Sequence, residues 1–328
     1  MSVRNALLAA SAAVSVAAFG TTVMAQDYPN KPVEIIVSFS PGGATDILAR
    51  VIADELSEIY DNPFIVQNRP GAGGTLGTTM ASRADPDGYT IFLGQVSSHG
   101  VAPPLYGDRI EYDPIADFTP VALISASPQV MVVRTESEIE SVDDFIAKTK
   151  EQDLIYASSG IGTTVHLSGE LFNNMAGTDL IHVPYQGSGP AVSALLSGEV
   201  DVLFDDLPSS MSHIRAGTLR PLAVTVAEAN PSIPDVPTLS DVGSDYGLGG
   251  FDASAWFVIA GPAGLPDEVV TSLNTSLNTM LEGESMQKFL SDNGAVPMGG
   301  TPEDAAAHIE AELEKWAAVI KAGDIKLE

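Results

Sequence analysis

Two spacings alternate along the chain. Runs that are apolar at nearly every position read as strands buried on both faces: VEIIVSF from Val33, FIVQN from Phe64, YTIFLG from Tyr89, PVALIS from Pro120, QVMVV from Gln129, VDVLF from Val200 and SAWFVIAG from Ser254. Between them apolar residues recur every three or four places. Ile47, Leu48, Val51, Ile52 and Leu56 predict a helix after the first run, and further helices are expected from about Thr75 and Asp267. Ile309, Leu313, Trp316 and Ile320 share one face of a last helix. Pro302 and the acidic pair Glu303-Asp304 mark its start. Strands alternating with helices predict an α/β fold with mainly parallel pairing.

Four strand-to-helix junctions are rich in glycine: PGGATD (Pro41–Asp46), PGAGGT (Pro70–Thr75), SGIGTT (Ser159–Thr164) and QGSGPA (Gln186–Ala191). In open α/β sheets ligands sit outside the carboxyl ends of strands, where such junctions lie. Two fall in the first third of the chain and two in the middle, so in separate domains they would face one another across a cleft. Gly42 and Gly43 leave backbone N–H groups uncovered ahead of a helix, where the first amides have no internal partner and carry partial positive charge. Such a terminus holds a carboxylate or phosphate without a basic side chain. Three or four charge-assisted hydrogen bonds, ~1.5–3 kcal/mol each, support micromolar binding once ordering is subtracted. Asp46 reads two ways, as an acid steadying the first helical turn or as a group that fixes water for the ligand. Arg50, one turn on, reads as its ion-pair partner.

Composition narrows the function. Arg4, the run ALLAASAAVSVAAF and Val23-Met24-Ala25 have the layout of a secretory leader cut after Ala25. Its 14-residue apolar run is too short to span a bilayer. The remaining 303 residues, 328 less 25, favour two domains. Cysteine is absent, which excludes disulfides and lipid-modified cysteine. The formal charge is −28, a surface that repels nucleic acid and anionic lipid.

Motifs for catalysis fail on inspection. Gly71–Leu76 has Leu76 where a dinucleotide fingerprint needs glycine, and no nucleotide P-loop occurs. Ser285–Lys288 and Ser291–Asn293 imitate β-lactamase motifs without their third element. His99, His166, His182, His213 and His308 have no metal-ligand spacing. His166 reads as structural, Trp256 and Trp316 as core, and Asp205-Asp206 as either a helix cap or a pair facing the cleft. No nucleophile is assembled with a base, so neither enzyme, cofactor nor metal is expected.

The segments PGGATDILAR, QNRPGAGG, ADPDGYTIFLG, ADFTPVALI, YASSGIGTTVHLSGELF, HVPYQGSGPAVSALLSGEVD, IPDVPTLSDVG and EKWAAVIKA carry a resemblance. From about Tyr28 to its end the chain resembles the solute-binding proteins of tripartite tricarboxylate transporters, the Bug family. The resemblance implies a two-lobe, cleft-closing periplasmic binding protein fold with two chain crossovers. It places 26–124 plus 250–328 in lobe I and 125–249 in lobe II. It also implies that amides of the first two glycine loops grip a carboxylate, partly through water. Carried over, Ser38, Phe39, Gly42, Gly43, Thr45 and Asp46 form one wall, with Ala72 and Gly74 beside them. Gly162, Thr163 and Thr164 come from lobe II, and Ser97 and Ser98 complete the set. Two departures stand out: this chain has Trp256-Phe-Val where the family often has a glycine soon after the tryptophan, and the surface is unusually acidic.

The expected function is a monomeric periplasmic receptor that captures a small carboxylate and delivers it to membrane permease subunits. A C4 dicarboxylate or a related hydroxy acid is favoured, because hydroxyl donors abound while Phe39 and Tyr185 are the few aromatics in the loops. Alternatives are an aromatic-carboxylate receptor and a ligand-sensing adaptor for a receptor kinase. A hydrolase would need the nucleophile–base pair that is missing.

Overall fold

The structure, a computed structural model, describes residues 28–322 and Ile325; the leader expected over 1–25 lies outside the described residues. The chain opens with β1 (Val33–Val37), α1 (Ala44–Tyr60), β2 (Phe64–Asn68), α2 (Thr75–Ser82), β3 (Thr90–Gln95) and α3 (Ala102–Tyr106). A 17-residue strand, β4 (Phe118–Arg134), then leads into α4 (Val142–Thr149), β5 (Ile155–Ser158), α5 (Thr164–Ala176), β6 (Ile181–Pro184) and α6 (Ser188–Ser197). There follow β7 (Val202–Asp206), α7 (Leu207–Arg215), β8 (Leu219–Val224) and α8 (Leu239–Val242). The chain closes with β9 (Ser254–Pro262), α9 (Asp267–Glu282), α10 (Glu284–Asp292), β10 (Val296–Gly299) and α11 (Pro302–Ala322).

Strand order is β2-β1-β3-β9-β4-β7-β5-β6, with β8 and β10 also paired to β4. The expectation of mainly parallel pairing is corrected. β1 pairs in parallel with β2 and β3, and β5 with β6 and β7. Every other pairing is antiparallel and involves β4 or β9. An apolar run reports burial on both faces but carries no direction. The runs PVALIS and QVMVV are also one strand, not two. Pro128 stands where β4 changes neighbours, a place where a missing N–H breaks little of the ladder.

These directions set the layout. β4 runs with β3, because both are antiparallel to β9, and against β7. The carboxyl ends of β1, β2 and β3 therefore point toward those of β5, β6 and β7. One apolar cluster joins β1, β3, β9 and the first part of β4 to α1, α9, α10 and α11. Two more cover opposite faces of the other strands: Met131, Phe145, Phe172 and Phe204 on one, Val130, Leu195, Leu203 and Met211 on the other. Trp256 and Trp316 are buried as expected, and both indole N–H groups donate to Glu312 Oε2.

Thr225 ties the crossing strands together. Its hydroxyl accepts from Gln129 N–H at 3.0 Å and faces the carbonyls of Gln129 and Ala253, at 3.0 and 2.6 Å, while its own N–H donates to Gln129 O. Thr225→Val keeps the shape and orphans a buried amide. It is expected to lower the unfolding free energy by about 1–3 kcal/mol in urea denaturation, with an unchanged m-value.

Candidate functional site

Helix α1 begins at Gly43 without any side-chain cap. Gly42 N–H donates to Asp46 Oδ2 at 3.0 Å and Ser40 N–H to the Gln186 carbonyl at 2.9 Å. The N–H groups of Gly43, Ala44 and Thr45 have no acceptor among the described residues. Ser38, fully buried at the end of β1, has a hydroxyl that is likewise unpartnered among them. The run of unpaired amides therefore starts one residue later than Gly42.

Asp46 explains why the loop keeps its shape. Its carboxylate also accepts from Arg50 at 2.8 and 3.0 Å and from Asn68 Nδ2 at 2.9 Å, while Asn68 holds the Phe39 carbonyl. The reading of Arg50 as the ion-pair partner of Asp46 holds, at 2.8 Å. Burial pushes the Asp46 carboxyl up, but the hydrogen bonds from Arg50, Gly42 and Asn68 hold it below the ordinary carboxylate range.

The four glycine junctions meet. An added Cβ on Gly43 would lie 3.3 Å from Ser188 Cβ in the fourth. At Gly73, where φ is +63°, it would reach the Ile161 carbonyl oxygen of the third at 2.1 Å. Tyr106 Oη donates to that same carbonyl at 2.8 Å. Thr164 N–H, at the start of α5, donates to Ser97 Oγ at 3.1 Å. A cavity of about 350 Å³ at this seam is lined by residues that include Gly73, Tyr106, Arg109, Gly160 and Gln186.

Several predicted residues are placed in the walls but have groups already in use. The Phe39 ring is core, and Ala72 and Gly74 form the turn into α2. Thr163 caps α5, accepting from His166 N–H, while Gly162 N–H donates to His166 Nδ1. Ser98 turns away from the seam to Gln95 and His99. Burial pushes His99 down to about 3, so the ring is neutral. Ser97, Ser98 and His99 lie in a single turn of π-helix, a rare geometry frequent at functional sites.

Sequence reasoning missed Tyr106 and Arg109, and, at the end of β7, the partners of the Asp205-Asp206 pair it had singled out. Asp205, fully buried, accepts from the Ser209 and Ser210 hydroxyls at 2.5 and 2.6 Å. Asp206 is the N-cap residue of α7 yet makes no side-chain cap bond, so its capping reading is corrected. It accepts instead from Gln129 Nε2 at 3.1 Å. Burial, and then the neighbouring Asp205, push its carboxyl up to about 7. The signal available was the doubled aspartate at a strand end; Gln129 lies 77 positions away and no spacing reveals it.

Unpaired amides at a helix start, facing a second sheet across glycine contacts, define a two-lobe solute receptor. The tripartite tricarboxylate transporter family receptor matches residues 48–325, and the chain belongs to that family. These are substrate-binding receptors, not enzymes. The chain is 34% identical to Protein BugT of Bordetella pertussis over 316 residues, 96% of each chain. It is 38% identical to R. palustris Rpa4515 with adipate, with a TM-score of 0.86, covering 92% of this chain and 99% of that one. It is 32% identical to MatC from Rhodopseudomonas palustris with bound malate, with a TM-score of 0.83, covering 89% and 100%.

Asp46 contributes stability fully above about pH 4 and progressively less as the pH falls through its lowered value. Asp46→Asn is expected to flatten the pH dependence of urea unfolding between pH 2 and 5, compared with the wild type. Gly73→Ala strains the backbone and obstructs Ile161. Calorimetric titration with carboxylate is expected to show at least about a tenfold loss of affinity, with a melting temperature changed by only a few degrees.

Proposed function

We propose that this chain is a periplasmic receptor that captures a small carboxylate between two lobes and delivers it to the membrane permease of a tripartite tricarboxylate transporter. The observation that carries the reading is the buried run of three unpaired N–H groups at Gly43, Ala44 and Thr45. Groups of this kind bind oxygen anions through the partial charge of a helix start. Ala72 and Gly74 complete the wall, and Ser97, Gly162, Thr163 and Thr164 oppose it.

The lobes divide as 26–124 with 250–328, and 125–249, so that β4 and the segment leading into β9 are the two crossings. Ligand binding shifts an open–closed equilibrium about them. A C4 dicarboxylate or a related di- or tricarboxylic hydroxy acid is the preferred cargo. Adipate and malate, held by the two structural relatives, support the aliphatic class. So do the hydroxyls that Ser38, Ser97 and Thr164 bring to the loop ends and the seam. The receptor acts as an exported monomer. No helix among the described residues is long and apolar enough to cross a membrane.

Native mass spectrometry against mono-, di- and tricarboxylates tests the cargo. A panel in which no carboxylate binds would overturn the reading. Gly43→Val places branched bulk against Ser188 and over the free amides. Calorimetry is expected to find no measurable binding in that variant; affinity near that of the wild type counts against the amide grip.

A further inference from the structure

The end of β7 carries polar chemistry that the amide loops leave unused. Gln129 and Asp206 are register partners across β4 and β7, at the edge of the second sheet that points toward the first. Gln129 is fully buried. Its carbonyl oxygen accepts from the Ser168 hydroxyl, which turns its NH₂ group toward Asp206 Oδ1. Ser168 lies one turn beyond Thr164 on the same face of α5, and Thr164 is joined to Ser97 across the seam. Two residues before Gln129, on the same face of β4, Ser127 is 3% exposed and its hydroxyl has no partner among the described residues.

This corner thus holds a carboxyl with one side-chain partner and, on the same face of β4 as that partner, an unused hydroxyl; among the described residues no cation is paired with Asp206. Asp205 lies on the opposite face of β7, hydrogen-bonded to Ser188, Ser209 and Ser210, with its Oδ1 unpartnered among the described residues. On α5, His166 stacks on His182 and Glu170 accepts from the Tyr156 hydroxyl. On α7, His213 faces Thr218 and Arg215 bonds to the Asp292 carbonyl. Arg134 of β4 sits beside Gly198, and Arg220 of β8 reaches Glu140. A buried carboxyl in that setting needs a proton or a donor.

We propose that Asp206, positioned by Gln129, determines specificity at the far end of the ligand, and that a dicarboxylate binds with one proton shared between its second carboxyl and Asp206. This rests on the carboxylate-receptor reading above and adds a proton to it. Two carboxylates in hydrogen-bond contact cannot both stay ionised. The proton comes from solvent, so capture of a dianion removes one proton from the buffer. Because Asp206 in the free protein is raised to about 7, uptake is near one proton above pH 8 and fades below pH 6. Affinity for the dianion is then higher at low pH and falls up to tenfold per pH unit above neutrality.

The test is calorimetric titration of the purified protein with malate and with adipate, from pH 6 to 9. Running it in phosphate and in Tris, whose ionisation heats differ, counts the protons. The expected result is close to one proton taken up at pH 8.5. Asp206→Asn, whose amide donates without titrating, is expected to bind either dianion with no uptake and a flat pH profile. A purely structural role would weaken binding at every pH and leave the profile unchanged. Binding by the wild type with no proton uptake at pH 8.5 overturns this inference alone. Failure of both acids to bind at any pH counts against it and against the receptor reading together.

Discussion

Strand β4 fixes the direction of every element around it. By running with β3 and against β7 it turns two sets of strand ends toward each other. Each parallel strand delivers its helix start to the same seam. Six junctions, after β1, β2, β3, β5, β6 and β7, converge there. The site is a consequence of topology, and the glycines only let the main chains approach.

An anion site inside so acidic a molecule is a matter of range. The net charge of −28 acts through solvent and is screened over roughly 8–10 Å at physiological ionic strength. In the proposed grip the N–H groups of Gly43, Ala44 and Thr45 would act at contact distance, out of reach of that screening. Asp46 does not oppose them, because Arg50, Asn68 and Gly42 already share its charge. Its work is to hold the loop open to the cleft. Arg109 supplies a cation at the seam without being needed as the grip.

Much of this was readable from the sequence, and the reasons for the rest are physical. Glycine junctions announce themselves locally, since the strand, the turn and the helix start are contiguous. Apolar runs likewise located β1, β2, β3, β4, β7 and β9, but not β5, β6, β8 and β10, which are short or carry polar and proline residues. Their directions were hidden, because a strand buried on both faces has the same pattern whichever way it runs. PVALIS and QVMVV looked separate because Pro128 ordinarily ends a strand; here it marks a change of neighbours. Asp46 was half read: its partner Arg50 is one helical turn away, but Asn68 comes from another strand. Gln129 and Asp206 meet only through the register of β4 with β7, which no short spacing encodes.

The contacts that shut the seam are largely made by the main chain: Gly73 against the Ile161 carbonyl, Ser40 N–H on the Gln186 carbonyl. Peptide groups have fixed dimensions, so the gap they leave when they touch is a set width. A receptor closed in this way would measure its cargo like a caliper. On the proposed reading the backbone would set the distance between the two walls, and side chains such as Asp206 would set which group is accepted at the far one.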